Sequence, residues 1–212
     1  MYDEVLQEIE LDKDWRNLEL KKIEIICQKL DNQDLNQLIL KSTIPMIYAH
    51  WEGFVVSSLR KVNNYLNSSN FQSSALHINL LTNAYEESIK NLESSLGYEK
   101  RVKHLSIIFE KLTNKVGFSS KVDVKSNLKF NVLQEICYKF NLNINSFTEY
   151  ERDLDRVLHI RNSIAHGENA YTFEKYEEIV IYINLLSSLM DTFHTEISNF
   201  FNNKKYLKGF DL

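Results

Sequence analysis

Apolar residues recur along this chain at intervals of three and four, the spacing that lines one face of an α-helix. Between residues 3 and 30, Val5, Leu6, Ile9, Trp15, Leu18, Ile23, Ile25 and Ile26 stand among frequent Glu and Lys, which predicts one amphipathic helix or two. The polar run Asp31-Asn32-Gln33-Asp34 breaks the pattern. A second long helix is expected from about Leu35 to Leu66, kinked at Pro45, because proline removes a backbone donor and crowds the preceding turn. After a polar connector at 67–74, helical stretches are expected over 75–96 and 99–115, on either side of Gly97.

Residues 116–130 lose that period. Lys121-Val122-Asp123-Val124-Lys125 alternates instead, so a short strand or an irregular insertion is expected there. A short helix over 132–140 and the connector Asn141–Asn145 lead into the most regular segment of the chain. Ser146-Phe147-Thr148-Glu149 matches a capping box, and Leu154, Val157, Leu158, Ile160 and Ile164 continue a helical stripe, predicting a helix of about five turns over 147–165. Gly167 stops it. Thr172, with Glu174 one turn inside, is the expected cap of a last helix running through Ile179, Ile183, Leu186, Met190 and Phe193 to about Phe200. The tail at 201–212 is expected to fray.

Composition narrows the class without choosing a function. The chain has 5 Gly and 1 Pro in 212 residues, where average usage gives roughly fifteen and ten, so turn punctuation is scarce and the fold should be mainly α. With 43% hydrophobic residues, residues 1–212 can form one domain, with 116–145 as the candidate insertion. A net charge of −4 excludes a surface coated in basic charge, so any contact with RNA must be local. The acidic start Met1-Tyr2-Asp3-Glu4 does not read as a secretory or transit signal, and no apolar run reaches the length of a membrane span, so a cytoplasmic protein is expected. Cys27 and Cys137 lie far apart without metal-ligand neighbours and read as small buried hydrophobes. No metal site or other cofactor is expected.

One heptapeptide carries chemistry: Arg161-Asn162-Ser163-Ile164-Ala165-His166-Gly167. Positions five apart on a straight helix differ by about 140°, so Arg161 and His166 can address one point only if the helix ends between them. Gly167 supplies that ending, which puts His166 at the cap. An imidazole that titrates near neutrality moves protons, and a guanidinium matches the oxygens of a phosphate. Asn162 beside them is a neutral hydrogen-bonder.

Arg161-Asn162-x-x-x-His166 resembles the signature of the HEPN superfamily, helical domains of which many are ribonucleases in toxin-antitoxin and antiphage systems. Ile44-Pro45-Met46-Ile47-Tyr48-Ala49-His50-Trp51-Glu52-Gly53-Phe54 is similar to the second-helix motif of the MAE_28990/MAE_18760 group of HEPN-like nucleases, which stands near the RiboL-PSP-HEPN proteins. The resemblance implies a HEPN-like helical bundle over most of the chain. It also implies a metal-independent endoribonuclease that acts on RNA as a homodimer, with two motif helices meeting at a two-fold axis, and that is accompanied by an antitoxin or other defence partner. Arg161, His166 and Asn162 are then the catalytic candidates, with Glu52, His50 and Glu168 as supporting ones. Glu168 stands where the HEPN toxins paired with minimal nucleotidyltransferases carry a modifiable Tyr; the nearest Tyr here is Tyr171, so regulation by AMP transfer onto that position is not expected.

A structural reading of the same residues stands beside the catalytic one. Arg161 and His166 also suit the carbonyls at a helix end, and His50, Trp51 and Glu52 suit packing around the Pro45 kink. On that reading the chain is a non-catalytic dimeric scaffold that binds a protein or a nucleotide.

Overall fold

The computed structural model of the chain describes residues 2–29, 33–125 and 127–209. It is built from helices, as the spacing predicts: α1 (Tyr2–Gln28), α2 (Gln33–Ser68), α3 (Ile78–Ala84), α4 (Glu86–Glu93), α5 (Tyr98–Leu112), α6 (Phe130–Lys139), α7 (Glu151–Ala165) and α8 (Tyr176–Asn202). The break expected at 31–34 falls partly outside the described residues, and α2 has begun by Gln33.

α2 is the axis of the molecule, packed by α1, α7 and α8. Its Trp51 and Phe54 meet Phe193 of α8 edge-on, with ring centroids 6.1 and 6.2 Å apart, and Phe147 joins the same ring at 6.3 Å. All four side chains are fully buried. Gly53 leaves room for the Arg16 side chain of α1, since a Cβ there would lie 2.8 Å from Nη1 of Arg16, which donates to the His50 carbonyl at 3.1 Å. α2 runs unbroken through Pro45.

Several expected boundaries move, and each has a visible cause. The capping box at 146–149 does not form. Ser146 instead donates to the buried Glu196 of α8 at 2.7 Å, residues Ile144–Tyr150 make a 3-10 turn, and α7 starts at Glu151. The stretch over 75–96 splits in two because Tyr85 turns its hydroxyl inward, 2.5 Å from Ser73 Oγ and donating to the Lys111 carbonyl at 3.0 Å. Thr172 is exposed and caps nothing; α8 begins at Tyr176, where the Glu178 carboxylate accepts from the backbone of Glu174 (2.7 Å) and Lys175 (3.1 Å).

Residues 113–125 and 127–129 form no strand; they lie as an irregular strap that buries Val116, Phe118, Val124 and Leu128. The tail does not fray over residues 203–209. Tyr206 is buried among Tyr65, Phe71, Phe200 and Phe201, and the backbones of Tyr206 and Lys208 pair with His77 and Ala75. Cys27 and Cys137 are buried, and burial pushes the Cys137 thiol up to about 12. No helix among the described residues is long and apolar enough to cross a membrane.

Candidate functional site

α7 turns Leu154, Val157, Leu158, Ile160 and Ser163 inward, mainly against α2. Arg161 follows directly on this stripe and is therefore half-buried, neither in the core nor free in solvent. Its guanidinium lies over the ring of Tyr48 on α2, 5.5 Å from the centroid, a cation–π contact. Nη1 donates to Asn162 Oδ1 at 2.8 Å. Among the described residues, Nε and Nη2 of Arg161 have no partner, so they are available to an anion.

The helix ends in a Schellman arrangement. Gly167 takes φ 75°, its N–H reaches the Ile164 carbonyl at 3.1 Å, and the Glu168 N–H reaches the Ser163 carbonyl at 3.0 Å. Ser163 also donates through its hydroxyl to the Glu168 carboxylate. His166 is the cap residue at φ −86° and ψ 1°, exposed, with no side-chain partner among the described residues. The ring is thus carried at the end of a rigid helix with both nitrogens free.

The loop that follows is strapped to α2. Gln37 exchanges two hydrogen bonds with the Phe173 backbone, accepting from its N–H at 3.2 Å and donating to its carbonyl. One turn on, Lys41 donates to Asn169 at 2.7 Å. Tyr171 packs edge-on against His159 of α7, with centroids 5.9 Å apart.

The supporting candidates divide by helix face. Tyr48 and Glu52 are four apart and share the α7 side of α2, whereas His50, about 200° round from Tyr48, faces α1. There its ring meets Trp15 at 5.6 Å, and burial, reinforced by Arg16, holds its pKa below the ordinary value. The structure therefore does not bring His50 to Arg161. Glu52 forms no ion pair with Arg161 among the described residues; one carboxylate oxygen of Glu52 and the Tyr48 hydroxyl are both buried without a hydrogen-bond partner. Burial, with the Glu52 carboxylate adding to it, pushes the Tyr48 phenol well up. Glu168 binds back to its own helix end. Asn162 holds Arg161 through its side chain and the His166 N–H through its carbonyl, at 3.0 Å.

Tyr48, Gln37 and Lys41 are the residues that motif reading passed over. Tyr48 sits inside the second-helix stretch, one turn before Glu52, and that spacing was the available signal. Nothing local marks Gln37 or Lys41, whose partners are far along the chain.

Among the described residues, no group of three or more His, Cys, Asp or Glu side chains is placed to hold a metal ion. No curated protein and no solved structure matches the chain. The sequence model of one family does, over residues 11–199, which includes both the Tyr48–Glu52 face of α2 and the Arg161–Gly167 helix end. The chain therefore belongs to the RiboL-PSP-HEPN family, within the HEPN superfamily.

Proposed function

We propose that this protein is a metal-independent endoribonuclease of a toxin-antitoxin or antiphage defence system. The observation that carries the reading is the pairing, at one helix end, of a half-buried Arg161 with unengaged donors and an exposed His166 with an unengaged ring. Family membership supports a nuclease of this type.

In this reading Arg161 binds the scissile phosphate and neutralises the charge that builds up on its equatorial oxygens. His166 takes the proton from the neighbouring 2′-hydroxyl as that oxygen attacks phosphorus. The bond to the 5′-oxygen breaks, leaving a 2′,3′-cyclic phosphate and, after protonation of the leaving oxygen, a 5′-hydroxyl. One imidazole cannot act as base and acid at the same instant. A second copy of the chain, docked along α7 about a two-fold axis, supplies the second His166 as the acid. An antitoxin or defence partner would act by covering that seam.

The test is cleavage of a defined RNA in the presence of a chelator, with the ends mapped and the mass in solution measured by light scattering. Cyclic phosphate and 5′-hydroxyl ends from a dimer are expected. A need for magnesium, equal cutting of DNA, or full activity from a strict monomer would each defeat the reading. A dimer that never cleaves RNA would leave a scaffold.

A further inference from the structure

α1 is apolar on two faces. One carries Ile9, Leu20, Ile23 and Cys27 into the core, on the side packed by α2 and α8. The other looks outward: Leu11, Trp15, Leu18 and Ile25 are 61%, 52%, 57% and 48% exposed. They stand at intervals of four, three and seven, with Lys22 filling the place between Leu18 and Ile25. Leu18 lies about 200° round the helix from the buried Leu20, so the outer stripe needs a cover of its own.

Charge continues the same heptad at both ends. Sevenfold steps from Ile25 through Leu18 and Leu11 reach Glu4, and sevenfold steps through Trp15 and Lys22 join Glu8 to Lys29. All eight positions are exposed and share one seam, because residues seven apart drift only about 20° round a helix. Lys29 still belongs to the last turn, its N–H bonded to the Ile25 carbonyl at 3.2 Å. The seam is therefore acidic at its amino-terminal end, apolar in the middle and basic at its carboxy-terminal end. Lys22 has a local partner in Glu19, at 2.6 Å, but an exposed pair of this kind weighs little. Glu4, Glu8 and Lys29 have no side-chain partner among the described residues.

We propose that this face pairs with α1 of a second copy of the chain, antiparallel, about a two-fold axis that passes between residues 16 and 17. In that register Trp15 of each copy packs on Leu18 of the other, at the centre. Leu11 meets Lys22, whose stem covers it; Glu8 meets Ile25 within one turn of both Lys22 and Lys29; and Glu4 meets Lys29. On one flank Asp14 of each copy stands beside Lys21 of the other, both exposed. Parallel pairing would set Glu4 on Glu4 and Lys29 on Lys29. Charges at seam positions are what fix orientation and register between helices, and an order that complements itself only when reversed fits an isologous contact. An anionic lipid surface would be repelled by the acidic half. A foreign helix gives no reason for a self-complementary order.

The test is sedimentation equilibrium of the full chain. Glu4→Lys with Glu8→Lys makes the charges on the seam all positive, and Lys22→Glu with Lys29→Glu makes them all negative. Each pair of substitutions is expected to raise the dissociation constant of the α1 step by about tenfold or more, and an equal mixture of the two proteins to recover the wild-type value to within about threefold. All four substitutions together, which invert the order, should associate as wild type does, and Leu18→Glu should abolish the step. The substituted side chains are exposed, so melting temperatures should stay near wild type. Either charge pair associating as tightly as wild type, a mixture no tighter than its parts, or an unchanged mass for Leu18→Glu overturns the proposal. So does a wild type that never pairs through α1, including one that binds phosphatidylcholine vesicles through Leu18 instead. The α7 seam lies across α2 from α1 and is read separately: where it forms, the variants fall back to the α7 dimer, and where it does not, they fall to monomers. Loss of the α1 step in either case supports the pairing, and its failure leaves the ribonuclease reading untouched.

Discussion

The guanidinium of Arg161 rests on the ring of Tyr48 with 5.5 Å between them, which joins the two sequence motifs, one on α2 and one on α7, at a single point. The stack explains why a half-buried arginine can hold one orientation without a carboxylate partner: the ring face attracts the cation, and Asn162 fixes one arm of the fork. An acidic partner would occupy the donors that a phosphate needs.

It follows that the Tyr48 ring matters and its hydroxyl does not. Tyr48→Phe removes a buried oxygen that completes no well-formed hydrogen bond, although the Leu128 backbone and the Glu52 carboxylate lie close to it, so stability should stay near wild type, with cleavage retained. Tyr48→Leu should cut cleavage by about two- to thirtyfold, since cation–π support is worth about 0.5–2 kcal/mol and Arg161 loses its rest. Melting curves and single-turnover rates for the two variants check this, and equal rates in both would remove the stack from the site.

His166→Ala should abolish RNA cleavage, a loss of at least about 10²–10⁴-fold for a proton-transfer group. Because the side chain is exposed, the melting temperature should stay within about 2 °C of wild type. Arg161→Ala should be equally inactive. An RNA with 2′-deoxyribose at the scissile nucleotide should resist the wild-type protein, as read on a denaturing gel.

Gly167 holds φ 75°, a conformation in which any Cβ is strained. Gly167→Ala should cost about 1 kcal/mol, or about 2–4 °C in melting temperature for a domain of this size. It should also lower cleavage more than stability, because the turn that carries His166 loosens. Retained activity together with retained stability would show that the cap geometry is dispensable.

Two histidines set an acid limit on the fold. Burial holds both His50 and His194 below their ordinary value of 6.5; the facing charges are Arg16, Glu19 and Asp12 for the first, and Lys13, Glu10, Asp191 and Asp14 for the second. Above pH 6.5 these rings are neutral in the folded and unfolded chain alike and leave stability unaffected. As pH falls below 6.5 the unfolded chain takes up protons that the folded one refuses, so stability drops through the window between 6.5 and the lowered folded values. Melting temperature should be flat from pH 8 to 7 and decline below 6.5, and His50→Gln should flatten part of that decline.

The helical repeat, the Gly167 stop and the Arg161–His166 pair were legible in the sequence, because periodicity and a left-handed cap are local properties of the chain. The resemblance carried by Arg161-Asn162-x-x-x-His166 and the 44–54 stretch pointed to the family for the same reason, since each is contiguous. Local signals failed where a distant partner competed for the same atom. Ser146 had the sequence of a helix cap, but the buried carboxylate of Glu196 claimed its hydroxyl, and α7 began five residues after it. Tyr85 interrupted a helix because Ser73 and the Lys111 carbonyl waited for its hydroxyl. The tail at 203–209 looked free because nothing nearby could hold it, whereas an aromatic cluster drawn from α2, α8 and Phe71 buried Tyr206. Only the tertiary structure decided that Arg161 would rest on Tyr48 and that His50, turned to the other side of α2, would meet Trp15 of α1. A side chain's direction is fixed by its helix, but what it meets there is fixed by which helix packs alongside.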